Sequence, residues 1–177
     1  MTVIVDETQL NAHIKHLADD IYKTNSGNIV FLGLGDNGFI LATRLSKFIL
    51  QHFETTVLVG KLDVTLYKSY HNNDHFVNLG KSDISFSLQN KTVILISDQV
   101  NTGKTMIAGL NALSDYGEPL VVKCCCLIFR ECMTRPIHFQ YIGETIAKSV
   151  VASLTCCFYE KDGEDCVKHV VHKEDYV

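Results

Sequence analysis

The apolar residues of this chain fall into short blocks whose period changes along the sequence. From Glu7 to Tyr22, Leu10, Ile14, Leu17 and Ile21 recur at three-to-four-residue spacing, which predicts an amphipathic helix ended by Asn25-Ser-Gly27. Asn28-Ile-Val-Phe-Leu-Gly33 is continuously apolar and bounded by glycine, the pattern of a buried strand. A second helix is predicted over Phe39 to Phe53, with Ile40, Leu41, Leu45, Phe48 and Ile49 turned inward. Thr55 to Tyr67 is rich in β-branched residues and reads as a strand. The polar run from Lys68 to Lys81 that follows is longer than an ordinary connection, so a flexible loop or lid is expected there. Lys91 to Ile96 is the next buried strand. It opens into Ser97 to Thr105, and a helix carrying Met106, Ile107, Leu110 and Leu113 on one face runs to a stop near Gly117. Val121 to Phe129, His138 to Ile142 and Val150 to Phe158 complete the strand set.

Buried strands alternating with helices predict an α/β fold, a mainly parallel twisted sheet flanked by helices on both faces. Ligands of such sheets sit at the carboxyl ends of the strands. A length of 177 residues suits one domain spanning 1–177, and two prolines with 20% charged residues leave no stretch with the composition of a linker or tail.

Charge and composition narrow the function classes. The first residues include Asp6 and Glu7 and lack the basic start and apolar stretch of a secretory signal, and no apolar run is long enough for a bilayer, so a cytoplasmic protein without membrane contact is expected. A net charge of −4 with only Arg44, Arg130 and Arg135 as arginines argues against a broad nucleic-acid face, while leaving room for a local RNA contact. The seven cysteines include Cys124, Cys125, Cys126 and the pair Cys156, Cys157. Neighbours on a strand point to opposite faces and lack the two-residue spacing that wraps zinc, so they read as reduced, buried, small apolar groups, with metal binding as the alternative. His71 and His75 read as part of a solvated loop, since a metal would need a third ligand. Lys168, His169 and Lys173 are too few to argue for RNA.

The chemistry concentrates in Val93-Ile-Leu-Ile-Ser-Asp-Gln-Val-Asn-Thr-Gly-Lys-Thr105, which places Thr102, Gly103 and Thr105 between a buried strand and the first turn of a helix. Backbone N–H groups, two hydroxyls and the positive helix end suit a phosphate dianion. It is not a Walker A loop, because Asp98 stands five residues before Gly103 where that pattern needs glycine. The plainer alternative is a polar turn in which Thr102 caps the helix. Gly33, Gly35 and Gly38 also match a dinucleotide fingerprint with Glu54 about twenty residues on, but Glu54 precedes its strand instead of ending it.

Two apolar strand residues, an acid, three variable positions and Thr-Gly-Lys-Thr resemble the phosphoribosyl-pyrophosphate (PRPP) signature of type I phosphoribosyltransferases. Asp63-Val-Thr-Leu-Tyr67 and Tyr141-Ile-Gly143 are similar to strands of the pyrimidine operon regulator and uracil phosphoribosyltransferase (PyrR) family, and the likeness runs in order from about Glu7 to Phe158. The resemblance implies a fold with a small base-side hood, and a transfer of ribose 5-phosphate from PRPP to uracil that yields UMP and pyrophosphate. Alternatively it implies a degenerate PRPP or nucleotide sensor, coupled to RNA attenuation. It assigns the 5′-phosphate to Asn101, Thr102, Gly103, Lys104 and Thr105. The ribose hydroxyls fall to Asp98 beside Ser97, and Mg²⁺ would be held with PRPP near Asp98. Leu34, Gly35, Asp36 and Asn37 take the pyrophosphate loop, Lys68 the flexible loop, and Arg130, Tyr141 and Ile142 the base side. A homodimer or higher homo-oligomer is implied as well. Three positions depart from the family pattern: Ser97 replaces an acid, the 34–37 loop carries no basic residue and adds Asp36, and Phe129 replaces an acid before Arg130.

Overall fold

The computed structural model describes residues 2–25, 27–67, 80–147 and 153–169. In chain order these form β1 (Thr2–Val5), α1 (Glu7–Lys23), β2 (Ile29–Leu34), α2 (Gly35–Phe53), β3 (Leu58–Leu62), β4 (Thr92–Val100), α3 (Lys104–Leu113), β5 (Val121–Arg130), β6 (Tyr141–Ile146), β7 (Leu154–Cys157), α4 (Tyr159–Asp162) and β8 (Cys166–His169). Five strands make one sheet in the order β3-β2-β4-β5-β6, and every pairing in it is parallel.

Alternation along each strand fills two cores, as a sheet covered on both faces requires. Phe31, Ile94, Ile96, Cys125 and Leu127 join Leu10, Ile14, Leu17, Leu41, Leu45 and Ile49 beneath α1 and α2. Their neighbours Val30, Leu32, Val93, Leu95, Cys124 and Cys126 turn the other way, onto Met106, Ala108, Ala112 and Leu113 of α3. The adjacent cysteines therefore serve as small core residues of opposite faces. Truncating fully buried Phe31 to alanine would cost about 3–5 kcal/mol.

The expected hood is a second, three-stranded antiparallel sheet, β1-β8-β7, which joins the N-terminus to the end of the described chain. Its strands are too short for periodicity to show, and β1, β8 and α4 were not expected from the sequence. Asp6, between β1 and α1, caps the helix with its side chain while Gln9 reaches back to the Asp6 N–H, a reciprocal capping box.

Several boundaries differ from the sequence reading. Helix α2 begins at Gly35, not Phe39. A Cβ on Gly33 would lie 2.3 Å from the Phe39 nitrogen, and one on Gly38 would lie 2.6 Å from the Ile96 oxygen. The glycines thus let the first turn of α2 press against β2 and β4, which explains the dinucleotide-like spacing without a dinucleotide; Glu54 is merely the left-handed C-cap of α2, at φ 53°. The expected Thr55 to Tyr67 strand stops at Leu62, because the Asp63 carboxylate accepts from the Thr65 N–H at 2.6 Å and turns the chain into a 3₁₀ turn at Thr65–Tyr67. Strand β4 continues through Ser97, Asp98, Gln99 and Val100, so these are strand residues and not loop. The expected strand at His138 starts at Tyr141, since Phe139 folds instead onto Phe129. The expected strand from Val150 is observed as Leu154–Cys157, its first residues lying outside the described ones, as do Lys68 to Asn78 of the expected lid and its Leu79.

Candidate functional site

Strands β4 and β5 run beyond β2 at their carboxyl ends, and a cleft of ≈ 700 Å³ opens there. Ser97, Asp98, Gln99 and Val100 form its floor, Asn101, Thr102 and Gly103 its turn, and Lys104, Thr105, Met106 and Ile107 the entering helix. Leu34, Asp36 and Asn37 border it from the β2–α2 junction. The segments assigned to phosphate, ribose and pyrophosphate by resemblance therefore share one cavity, although Gly35 itself is not at its surface.

Gly103 is the N-cap of α3, at φ 83° in the left-handed region, and no side chain caps the helix. Thr102 thus does not perform the capping role considered for it. The first-turn N–H groups, beside the Thr105 side chain, remain without a side-chain cap at the end of a helix that borders the cleft, the arrangement that favours an anion.

Ser97 is buried, and its hydroxyl donates to the Gln99 carbonyl at 3.0 Å, so it is committed internally. Asp98 is the buried acid of the site. Burial pushes its carboxyl above the ordinary carboxylate range, and hydrogen bonds from the Asn37 side chain and the backbone oppose that shift. Asn37 donates to Asp98 Oδ2 at 3.0 Å and to the Cys156 carbonyl at 3.2 Å.

Two lysines stand where the 34–37 segment lacks basic residues of its own. Lys61 of β3 pairs with Asp36 at 2.5 Å and holds that carboxyl below the usual range. Lys161 of α4 donates to Asn37 Oδ1 at 3.1 Å and lines the cleft. Lys161 lies in no motif and reaches the site only through the fold of the small sheet, so the sequence offers no signal for it. Tyr67 and Arg135 also line the cleft and were given no role. Arg135 had a signal, being one of three arginines; its Cβ would stand 3.3 Å from a Cβ on Gly103.

The proposed base-side residues do not meet at the cleft. Arg130 is 5% exposed at the end of β5 and donates to Asn101 Oδ1 at 3.5 Å, supporting the turn from behind. The Tyr141 hydroxyl joins Thr24 at 2.8 Å, accepts from Asn25 at 2.9 Å, and lies near Lys123, all close to the end of α1. Ile142 is exposed on β6 and absent from the cleft wall. Lys68 lies outside the described residues.

The donor set fits a magnesium ion carried in with a phosphorylated sugar. Mg²⁺ prefers hard oxygens, and commonly takes one or two carboxylates while substrate phosphates and water fill its remaining positions. Asp98 offers that carboxylate at the cleft floor, with no thiol among the cleft-lining residues. The cysteine sulfurs nearby, Cys126 and Cys156, are buried and held protonated by desolvation. Among the described residues no helix is long and apolar enough to cross a membrane.

Comparison with known proteins accords with this geometry. The phosphoribosyl transferase domain model matches residues 3–157. The bifunctional protein PyrR of Clostridioides difficile (strain 630) is 32% identical over 167 residues, covering 93% of this chain and 94% of the relative. That of Desulfosudis oleivorans is 33% identical over 175 residues, covering 94% of each. Among solved structures, a hypoxanthine phosphoribosyltransferase from Staphylococcus aureus superposes with a TM-score of 0.73 at 19% identity, over 100% of this chain and 94% of the other. A purine phosphoribosyltransferase from Pyrococcus horikoshii Ot3 gives 0.61 at 21% identity, over 80% and 85%. Those two likenesses establish the fold, and the sequence matches establish the family: the chain is a type I phosphoribosyltransferase resembling PyrR.

Proposed function

We propose that the protein transfers the ribose 5-phosphate of PRPP to uracil, releasing UMP and pyrophosphate, with Mg²⁺ bound alongside PRPP. The single observation that carries this reading is the placement of Asp98 on the cleft floor beside the uncapped N-terminus of α3. Asn101 to Thr105 seat the 5′-phosphate through backbone N–H groups and the Thr102 and Thr105 hydroxyls. Asp98 accepts from the ribose hydroxyls, and Asn37 keeps it oriented. Lys161 supplies positive charge on the pyrophosphate side, and Lys61 neutralises the Asp36 carboxylate there. Mg²⁺, when bound, would neutralise charge on the departing pyrophosphate. Displacement at the sugar C1 by a ring nitrogen needs positioning and charge stabilisation, and no side-chain nucleophile.

Uracil rests on the likeness to the PyrR proteins across more than nine-tenths of the chain. The solved structures named for hypoxanthine and purine activity supply the competing bases to test. Incubation with PRPP and Mg²⁺ plus uracil, hypoxanthine or guanine in parallel tests the reading. UMP as the main product is the expected outcome, and a purine nucleotide as the main product would replace uracil with that base.

One observation favours a second reading, a sensor that binds PRPP or a uridine nucleotide without turnover. The Ser97 hydroxyl and the Lys61 ammonium, both placed where catalytic groups are wanted, are already bonded within the protein. Saturable UMP binding with no product from any base would select the sensor. Coupling to RNA, a homo-oligomeric assembly and a cytoplasmic location belong to the same proposal by resemblance to PyrR.

A further inference from the structure

We propose that Cys157, Glu164 and Cys166 form a site for a thiophilic divalent cation of the zinc class, outside the phosphoribosyl cleft. Cys157 of β7 and Cys166 of β8 are directly opposed partners in the antiparallel ladder. Antiparallel partners share a face, so both thiols lie on the side away from Cys156 and Val167, which fill the core under α1 and α2. The chain between them, 158–165, returns through a left-handed Gly163 at φ 74° and brings Glu164 back over the two sulfurs. The Sγ atoms and a Glu164 carboxylate oxygen all lie within 4.8 Å of one another. Tetrahedral Zn²⁺ with Zn–S of about 2.3 Å sets its sulfurs about 3.8 Å apart, within reach of small side-chain rotations.

The turn is already fixed by other bonds. Asp165 is held by Arg44 at 2.7 and 2.9 Å and accepts from the Tyr159 N–H, while Asp162 accepts from the Phe158 N–H. Glu164 is the carboxylate left on the thiol side, where it pairs with Lys168 of β8. Two thiolates and one carboxylate carry three negative charges; a divalent ion leaves one, and Lys168 beside the site neutralises it. Three protein ligands leave a fourth position for water, and the thiols select a soft ion over magnesium. Because the ligands stand at both ends of the 158–165 connection, the ion would also fasten the segment that carries Lys161.

The test is a cobalt titration of the full chain, reduced and stripped of metal, followed by absorbance, with zinc then added as competitor. One equivalent of Co²⁺ producing thiolate charge-transfer and tetrahedral d–d bands, both bleached by Zn²⁺, is the expected result. Cys157→Ser, at a half-buried position that should leave the fold intact, is expected to weaken binding at least about a hundredfold. Exposed Glu164→Gln should weaken it about tenfold, and Cys132→Ser should leave it unchanged. Absence of a thiolate band in the parent chain would overturn the proposal. So would a band that survives Cys157→Ser in a chain whose circular dichroism matches the parent, or one lost with Cys132→Ser.

Discussion

The side-chain amide of Asn37 bridges two oppositely charged groups of the cleft, donating to Asp98 at 3.0 Å and accepting from Lys161 at 3.1 Å. Helix α2, strand β4 and the small sheet thereby meet at a single neutral residue, at a position where the family pattern calls for basic ones. Asn37→Ala removes one hydrogen bond to a charged acceptor and one from a charged donor. A loss of about 1.5–3 kcal/mol is expected, in PRPP affinity more than in folding, because both partners face the cleft. Parallel calorimetric and urea titrations separate the two.

Asp98 makes stability depend on pH. Burial raises its folded-state pKa above the unfolded value near 3.8, so the folded state favours the protonated form. That contribution is fully present below the unfolded pKa and is lost as pH rises through the raised folded value. At neutral pH the carboxylate therefore costs stability. Asp98→Asn should unfold at a higher urea midpoint than the parent at neutral pH, with the gap closing as the solution is acidified. A gap that stays constant across the pH range would contradict this assignment.

Lys161 and Lys61 are expected to behave differently. Lys61 is engaged by the exposed Asp36 carboxylate, and screening makes such a pair worth about 0–1 kcal/mol, so Lys61→Ala should alter stability and affinity little. Lys161 hydrogen-bonds a neutral amide, feels the Asp36 and Asp98 carboxylates only through space, and borders the cleft. Lys161→Ala should weaken PRPP binding about tenfold or more, through loss of a charge-assisted contact of about 1.5–3 kcal/mol. Titrating both variants at low and moderate salt checks the ranking.

Arg44 anchors the small sheet to α2. Its guanidinium holds Glu160 and Asp165 together and lies 5.1 Å over the Phe158 ring, with both Arg44 and Asp165 largely buried. Arg44→Ala leaves the Asp165 carboxylate buried without its partner and should cost about 2–3 kcal/mol of stability. Arg44→Lys, which keeps the charge but cannot hold two carboxylates in a planar fork, should fall between. Chemical denaturation measures both.

The parallel sheet was legible because its strands are buried on both faces and read as unbroken apolar blocks, Ile29 to Leu34 and Val93 to Ile96 above all. The cleft was legible through Asp98 and Thr102 to Thr105, because a strand, a glycine turn and a helix start are contiguous in sequence. Lys161 was hidden because its approach to Asn37 depends on a small sheet built from both ends of the chain. Tyr141 misled for the opposite reason: its motif matched, but its place on β6 sends the hydroxyl to Thr24 and Asn25 at the end of α1. Gly103 has a structural role besides the proposed close approach of a phosphate. At φ 83°, with Ile137 Cδ1 3.0 Å from any added Cβ, a valine there strains the backbone and crowds the turn, so the variant would report on folding as much as on binding. Thr105→Ala isolates the proposed phosphate contact.

The most direct test of the account is a calorimetric titration of PRPP with Mg²⁺ into the parent chain, Thr105→Ala and Asp98→Asn, each confirmed folded. One saturable site per chain is expected. Thr105→Ala should weaken it about two- to tenfold, for the loss of one neutral donor worth about 0.5–1.5 kcal/mol, and Asp98→Asn should remove most of the binding heat. No saturable heat in the parent, or an affinity that neither substitution changes, would contradict it.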